Sequence, residues 1–196
     1  MKKLLSLALV ALILISAALS LSSCGEKDAD SPVVGRWKTD APLSKILAGE
    51  PVSEYAALGI DLNAYAIELT FEFRENGKLD VGINNKAAKE TLTDLFGELI
   101  EKHAEADAMT ADEYAGTMGY ASKDEAVKAM IRSADLSGFG ATYSYSADDK
   151  TLDIAGCSVE FIAGDDLILV SADASNAKED APKYLESVLP LTLTKQ

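Results

Sequence analysis

Ile67, Leu69, Phe71 and Phe73 alternate with Glu68, Thr70 and Glu72, and this strict period of two constrains the fold more than any other stretch of the chain. Successive side chains of a strand point to opposite faces, so one face here is apolar and the other wet. Asn76-Gly77 follows, a pair suited to the positive φ angles of a tight hairpin. Leu79, Val81 and Ile83 resume the alternation on a return strand. The pattern comes back late in the chain. Tyr143 and Tyr145 match Leu152 and Ile154 across Asp148-Asp149-Lys150, and Val159 and Phe161 match Leu167 and Leu169 across residues 163–166. A first strand carrying Trp37 and a last one at Leu191 to Thr194 bring the count to eight, near 33–38, 66–74, 78–84, 141–147, 150–155, 157–163, 166–172 and 190–195. Consecutive hairpins with one apolar face describe an antiparallel meander. Closure into a barrel removes its two exposed edges.

Between the third and fourth strands the period changes to that of a helix. Leu92, Leu95, Phe96, Leu99, Ile100 and His103 fall at spacings of three and four. Thr110 with Glu113 and Ser122 with Glu125 form two capping boxes, each opening a short helix. Ala126, Val127, Met130, Ile131 and Ala134 make the last stripe, so a helical insertion spans about 86–136. Asp40 is placed to cap a short helix with Pro42 in its first turn and Gly49 as its stop. Pro51 is expected to end any continuation, with a helical turn and a loop over 52–65. Asp180 and Pro182 start a further helix through Val188, closed by Pro190. The expected fold is α+β, mainly β: an eight-stranded antiparallel meander or barrel with a helical insertion.

The N-terminus reads as an address. Met1-Lys2-Lys3 is cationic, and the run from Leu4 to Leu21 is apolar apart from Ser6, Ser16 and Ser20. Positive charge stays on the cytoplasmic side while such a run enters the bilayer. About 18 apolar residues also approach the length of a spanning helix. The residues that follow set processing against that alternative. Leu21-Ser22-Ser23-Cys24 resembles the lipobox of bacterial lipoproteins: a branched apolar residue, two small residues and the acylated cysteine. The resemblance implies cleavage before Cys24, diacylglycerol and palmitate-type acyl chains on that residue, and contact with membrane lipid through it. Two chains anchor stably where one holds only marginally. The implied location is outside the cytoplasmic membrane, lipid-anchored at the membrane or envelope of a bacterium. Residues 1–23 are then a leader, 24–32 a lipidated cysteine with a polar, disordered tether, and 33–196 the β domain. With Cys24 lipidated, no second thiol is left to form a disulfide with Cys157, and its apolar strand context suits a small buried hydrophobe.

Gly35-Arg36-Trp37 on the first strand resembles the Gly-X-Trp signature of lipocalins and lipocalin-like bacterial lipoproteins. There the tryptophan plugs the closed end of a barrel that holds a ligand. The helical insertion departs from that pattern, and the resemblance covers about 33–40, 66–84 and 141–195.

Charge narrows the partners. The whole chain carries a formal −14, and without its first 23 residues 16 basic face 32 acidic groups, a balance of −16. No basic surface remains to displace phosphate counterions, so nucleic acid is excluded as a partner. Cationic ligands or partners fit better than acidic ones. Chemistry is thinly marked. His103 is the only imidazole, placed near a helix C-terminus to cap or pack, and no second His or thiol completes a zinc set. There is no nucleophile elbow, dinucleotide fingerprint or Walker lysine. Asp148-Asp149 and Asp165-Asp166 sit on turns without EF-hand spacing, and no position is marked for a glycosidase carboxylate pair. No catalytic residue, cofactor or metal is expected.

Two readings follow. In the first, a non-enzymatic barrel binds a small apolar or amphipathic ligand through Trp37, Phe71, Phe73, Tyr143, Tyr145 and Phe161, with the helical block as a lid. In the second, the barrel is solid and an envelope protein binds the helical insertion. Met109, Met118 and Met130, with Tyr114 and Tyr120, all lie there and give adaptable surface. Packing of the short helices accounts for the same five residues.

Overall fold

The computed structural model describes residues 31–47, 50–134, 136–146, 150–154, 156–173, 175 and 188–196. The leader, Cys24, the tether through residue 30, Asp148-Asp149 and the helix expected from Asp180 up to Val188 lie outside the described residues. Eight strands follow in chain order: β1 (Gly35–Pro42), β2 (Ala66–Phe73), β3 (Lys78–Ile83), β4 (Phe139–Ser146), β5 (Thr151–Ile154), β6 (Cys157–Ala163), β7 (Asp166–Asp173) and β8 (Leu191–Lys195). They form a closed antiparallel barrel, sealed where Trp37 pairs with Lys195 and Lys38 with Thr194. The fold is the α+β, mainly β barrel that the alternation implies.

Register explains why the pattern works. Leu69 lies opposite Ile83, Phe71 opposite Val81 and Phe73 opposite Leu79. Directly opposed residues share a face, so the two alternating segments pool their apolar sides. An ion-pair chain links β1, the hairpin and the polar positions of β2 and β3. Arg36 meets Glu72 at 3.3 Å, Arg74 meets Glu72 at 3.4 Å, and Arg74 meets Asp80 at 2.6 Å. The hairpin between β2 and β3 is longer than a two-residue turn. Arg74 to Gly77 close it, with the Gly77 amide donating to the Arg74 carbonyl at 3.0 Å, and Gly77 alone is left-handed at φ 72°. One bulge interrupts the sheet. Phe161 pairs with Leu169 and Glu160 with Ser171, leaving Val170 as the extra residue on β7, turned to solvent.

The chain forms two compact units, and the second is helical. It combines Pro42–Ile67 with Asn85–Leu136, so the first connection of the barrel contributes helices as well as the expected insertion. Its elements are α1 (Leu43–Ile46), α2 (Glu50–Ala57), a 3-10 turn at Leu62–Ala64, α3 (Asn85–Ala106), α4 (Ala111–Thr117) and α5 (Lys123–Ser133). Leu92, Leu95, Phe96 and Ile100 bury the predicted stripe of α3. Among the described residues no helix is long and apolar enough to cross a membrane.

Three local expectations are corrected. Asp40 does not cap a helix, because β1 runs through it to Pro42, and Pro42 itself is the extended residue before α1. Pro51 does not end a helix but sits at the second position of α2, where its missing N–H costs no helical hydrogen bond. Ser31, placed in the tether, is buried, and its carbonyl accepts from the Val34 amide at 3.2 Å. The capping boxes differ from each other. Thr110 and Glu113 make both reciprocal bonds. Ser122 accepts from the Glu125 amide, but the Glu125 carboxylate takes the Ala121 amide instead. The Lys123 amide is satisfied from outside its helix by Asp112 of α4 at 2.8 Å.

Candidate functional site

Trp37 is the anchor of one barrel end. Gly35 adopts φ 140°, a conformation that side chains avoid, and this lets the chain turn so that the indole reaches back to it. Trp37 Nε1 donates to the Val33 carbonyl at 2.8 Å, and the residue is only 2 % exposed. The Lys195 ammonium lies 5.7 Å from the ring centroid, at cation–π range. A side chain placed on Gly35 would touch Trp37 Nε1 and Lys195 Cε.

Several side chains of the barrel are fully buried. Leu152, Cys157, Val159, Leu167 and Leu193 keep no surface that a water-sized sphere can reach, from outside or from an internal hollow. Phe71, Phe73 and Tyr143 are also buried. Phe73 and Tyr143 meet edge-on at 5.1 Å, and the Tyr143 hydroxyl donates to the Arg74 carbonyl at 2.9 Å. Tyr145 and Phe161 differ from the other four predicted aromatics. They are half-buried, with ring centroids 5.9 Å apart. An eight-stranded barrel is just wide enough for side chains to fill it.

The five Met and Tyr residues of the helical insertion are not brought to one surface. Met109 is 43 % exposed, whereas Met130 and Tyr114 are buried and Met118 and Tyr120 lie between. His103 stacks on Tyr114 with centroids 5.5 Å apart and planes within 6°. Burial, and then the nearby Asp107 charge, raise the Tyr114 phenol above its ordinary range.

The helical unit has a concavity that composition does not flag. It has a volume of about 670 Å³ and runs between α3 and α5, with Tyr65 at its border. Gly97, Val127 and Ile131 supply its apolar part. Along α3, Asp94, Glu98, Glu101 and Glu105 line it at spacings of four, three and four, one side of the helix. Lys123 lies across Gly97, 3.4 Å from where a Cβ would stand, and pairs with Glu101. Lys102 pairs with Glu105 at 3.2 Å. The Tyr65 hydroxyl donates to the Glu98 carboxylate. Burial, that hydrogen bond, and the charges of Glu98, Asp94 and Glu101 together push the Tyr65 phenol up to about 12. Sequence reasoning missed Tyr65 and Glu98 because they lie 33 positions apart. The signal available was the acid spacing on one side of α3.

Among the described residues no three His, Cys, Asp or Glu side chains converge to hold a metal ion. Comparison of the chain with family models, with curated proteins and with solved structures returns no match.

Proposed function

We propose that this chain is an exported bacterial lipoprotein, held at a membrane by acylated Cys24, in which the barrel is a filled scaffold and the helical unit carries the recognition surface. The observation that carries this reading is the barrel interior. Leu152, Val159, Leu167 and Leu193 have no exposed surface, so a ligand among them would have to displace them. Leu21-Ser22-Ser23-Cys24 supports the anchor, and the buried state of Cys157 agrees with a chain whose other thiol is spent on lipid. The Trp37 geometry supports a lipocalin-like origin of the scaffold, since a buried indole at a barrel end is what that resemblance implies. The protein binds and does not catalyse.

Tyr145 and Phe161 favour one variant, contact of a small apolar or amphipathic ligand at their end of the barrel, because they alone among the six aromatics remain half-buried. Two measurements test these readings. Cells fed a palmitate analogue should label the full chain and not Cys24→Ser. Native mass spectrometry of the protein released in mild detergent should show no co-purifying apolar molecule, and a stoichiometric one would overturn the filled scaffold.

A further inference from the structure

We propose that the barrel rim bearing Trp37, Tyr145, Phe161 and Ile162 faces the membrane, with Ile162 seated in the lipid interface. This rests on the reading that Cys24 carries the anchor.

Chain length limits how far the anchor can stand from this rim. Ser31 is buried, its carbonyl accepts from the Val34 amide, and the Trp37 indole holds the Val33 carbonyl. Only residues 25–30 therefore separate Cys24 from a fixed point on the barrel. Whatever conformation those six residues adopt, Cys24 lies within about 25 Å of Ser31. Seating the opposite rim on the bilayer would lift Ser31 by the height of the barrel, about 20 Å for strands of eight residues tilted as barrels require. That arrangement demands an almost fully extended tether, which entropy opposes.

Register places apolar side chains at the same rim. Strands alternate in direction, so the rim where β1 begins is also where β8 ends and β7 begins. The turn at 163–166 and the end of β4 belong to it as well. Ile162 stands just before that turn, opposite the half-buried Ile168. At 59 % it is the most exposed large apolar side chain among the described residues. Tyr145 and Phe161, half-buried and 5.9 Å apart, sit at the same rim. Such residues suit a lipid interface, where apolar bodies leave water and polar tips stay wet.

Charge agrees. Segments 35–38, 72–78, 147–150, 163–166 and 194–196, which join or end strands at this rim, hold six basic and six acidic residues. From Cys24 onward 16 basic face 32 acidic groups, so the acid excess lies elsewhere. An anionic bilayer repels the rest of the chain and not this end.

Fluorescence quenching on the full acylated chain tests the orientation. The vesicles are phosphatidylcholine with a minority of phosphatidylglycerol, and carry a nitroxide on the upper acyl chain. Cys157 is buried and Cys24 acylated, so a thiol introduced by Ile162→Cys or Ser158→Cys takes the fluorophore alone. The two positions lie on one strand, both exposed and about 13 Å apart. Quenching at 162 should exceed that at 158 at least about twofold. With the fluorophore on Gly164→Cys, adding Ile162→Asp should lower quenching by a similar factor, with circular dichroism unchanged. Protein that carries the palmitate label and floats with the vesicles, yet is quenched equally at both positions or more at 158, overturns the orientation and leaves the anchor standing. Quenching at 164 unmoved by Ile162→Asp overturns the seat of Ile162. Protein that neither labels nor floats rejects the anchor, and this orientation with it.

Discussion

Lys195 sets its ammonium 5.7 Å from the centroid of the Trp37 ring, and the two residues are direct partners in the ladder that closes β1 onto β8. The contact joins the first strand to the last, so it reports closure of the barrel. Trp37→Phe keeps most of the buried area and loses the hydrogen bond to Val33, at a cost of about 1 kcal/mol. Trp37→Ala should cost about 3–5 kcal/mol. Lys195→Met should cost about 0.5–1 kcal/mol and no more than that once Trp37 is already Ala. Urea unfolding followed by circular dichroism measures all three, since Trp37 is the only tryptophan and its fluorescence vanishes with it.

A filled barrel and a hollow one respond differently to truncation. Leu167 and Leu193 are cross-strand partners with no accessible surface. Leu167→Ala and Leu193→Ala should each cost about 2–5 kcal/mol, because the cavity left behind cannot fully collapse. The double variant should depart from additivity, since both shorten one shared contact. Losses under about 1 kcal/mol in denaturant melts would mean that these side chains line an existing hollow.

The strands were legible because their information is local. Ile67 to Phe73 needs only a period of two to announce a buried face, and Leu79 and Val81 confirm it within ten residues. The end of β1 was not legible. Asp40 and Pro42 look like a helix start, but β1 runs through both with Ala41 fully buried between them, and the helix begins only at Leu43. Tertiary context overrides a local cap signal. Pro51 misled for a related reason, as proline reads as a stop unless its position within the first helical turn is known. The groove was least legible. Asp94, Glu98, Glu101 and Glu105 sit on one helix, but Lys123, Asp124, Val127 and Ile131 come from another and Tyr65 from a third segment. The methionines show the converse, because Met109 and Met130 share a chemistry and differ in which way they face.

Helix caps give α4 a pH dependence. The Thr110 amide and hydroxyl hold the Glu113 carboxyl below its ordinary value of 4.5. A carboxylate with a depressed native pKa stabilises the fold above its unfolded pKa, and that contribution fades as pH falls through the native value. Thermal melts from neutral pH downward should therefore show the midpoint of the wild type falling below pH 4.5 more steeply than that of Thr110→Ala. At neutral pH the same variant should lose about 1 kcal/mol, the usual worth of an N-cap. Equal slopes for the two proteins would detach Glu113 from the cap.

The Tyr65 phenol titrates in the opposite sense. It rises from 10.0 to about 12 through burial, its bond to Glu98, and the charges of Glu98, Asp94 and Glu101. A raised native pKa means the neutral phenol is favoured by folding, so its contribution is complete below pH 10 and is lost as pH climbs toward 12. Absorbance titration at the phenolate band should show a late component in the wild type that Tyr65→Phe removes. Glu98→Gln takes away the acceptor charge and should move that component down toward the ordinary value, with α3 intact by circular dichroism. Tyr55, also raised to about 12 by burial, should stay in place in both variants and serves as the internal reference. A late component unmoved by Glu98→Gln would assign the shift to burial alone and remove the negative field from the groove.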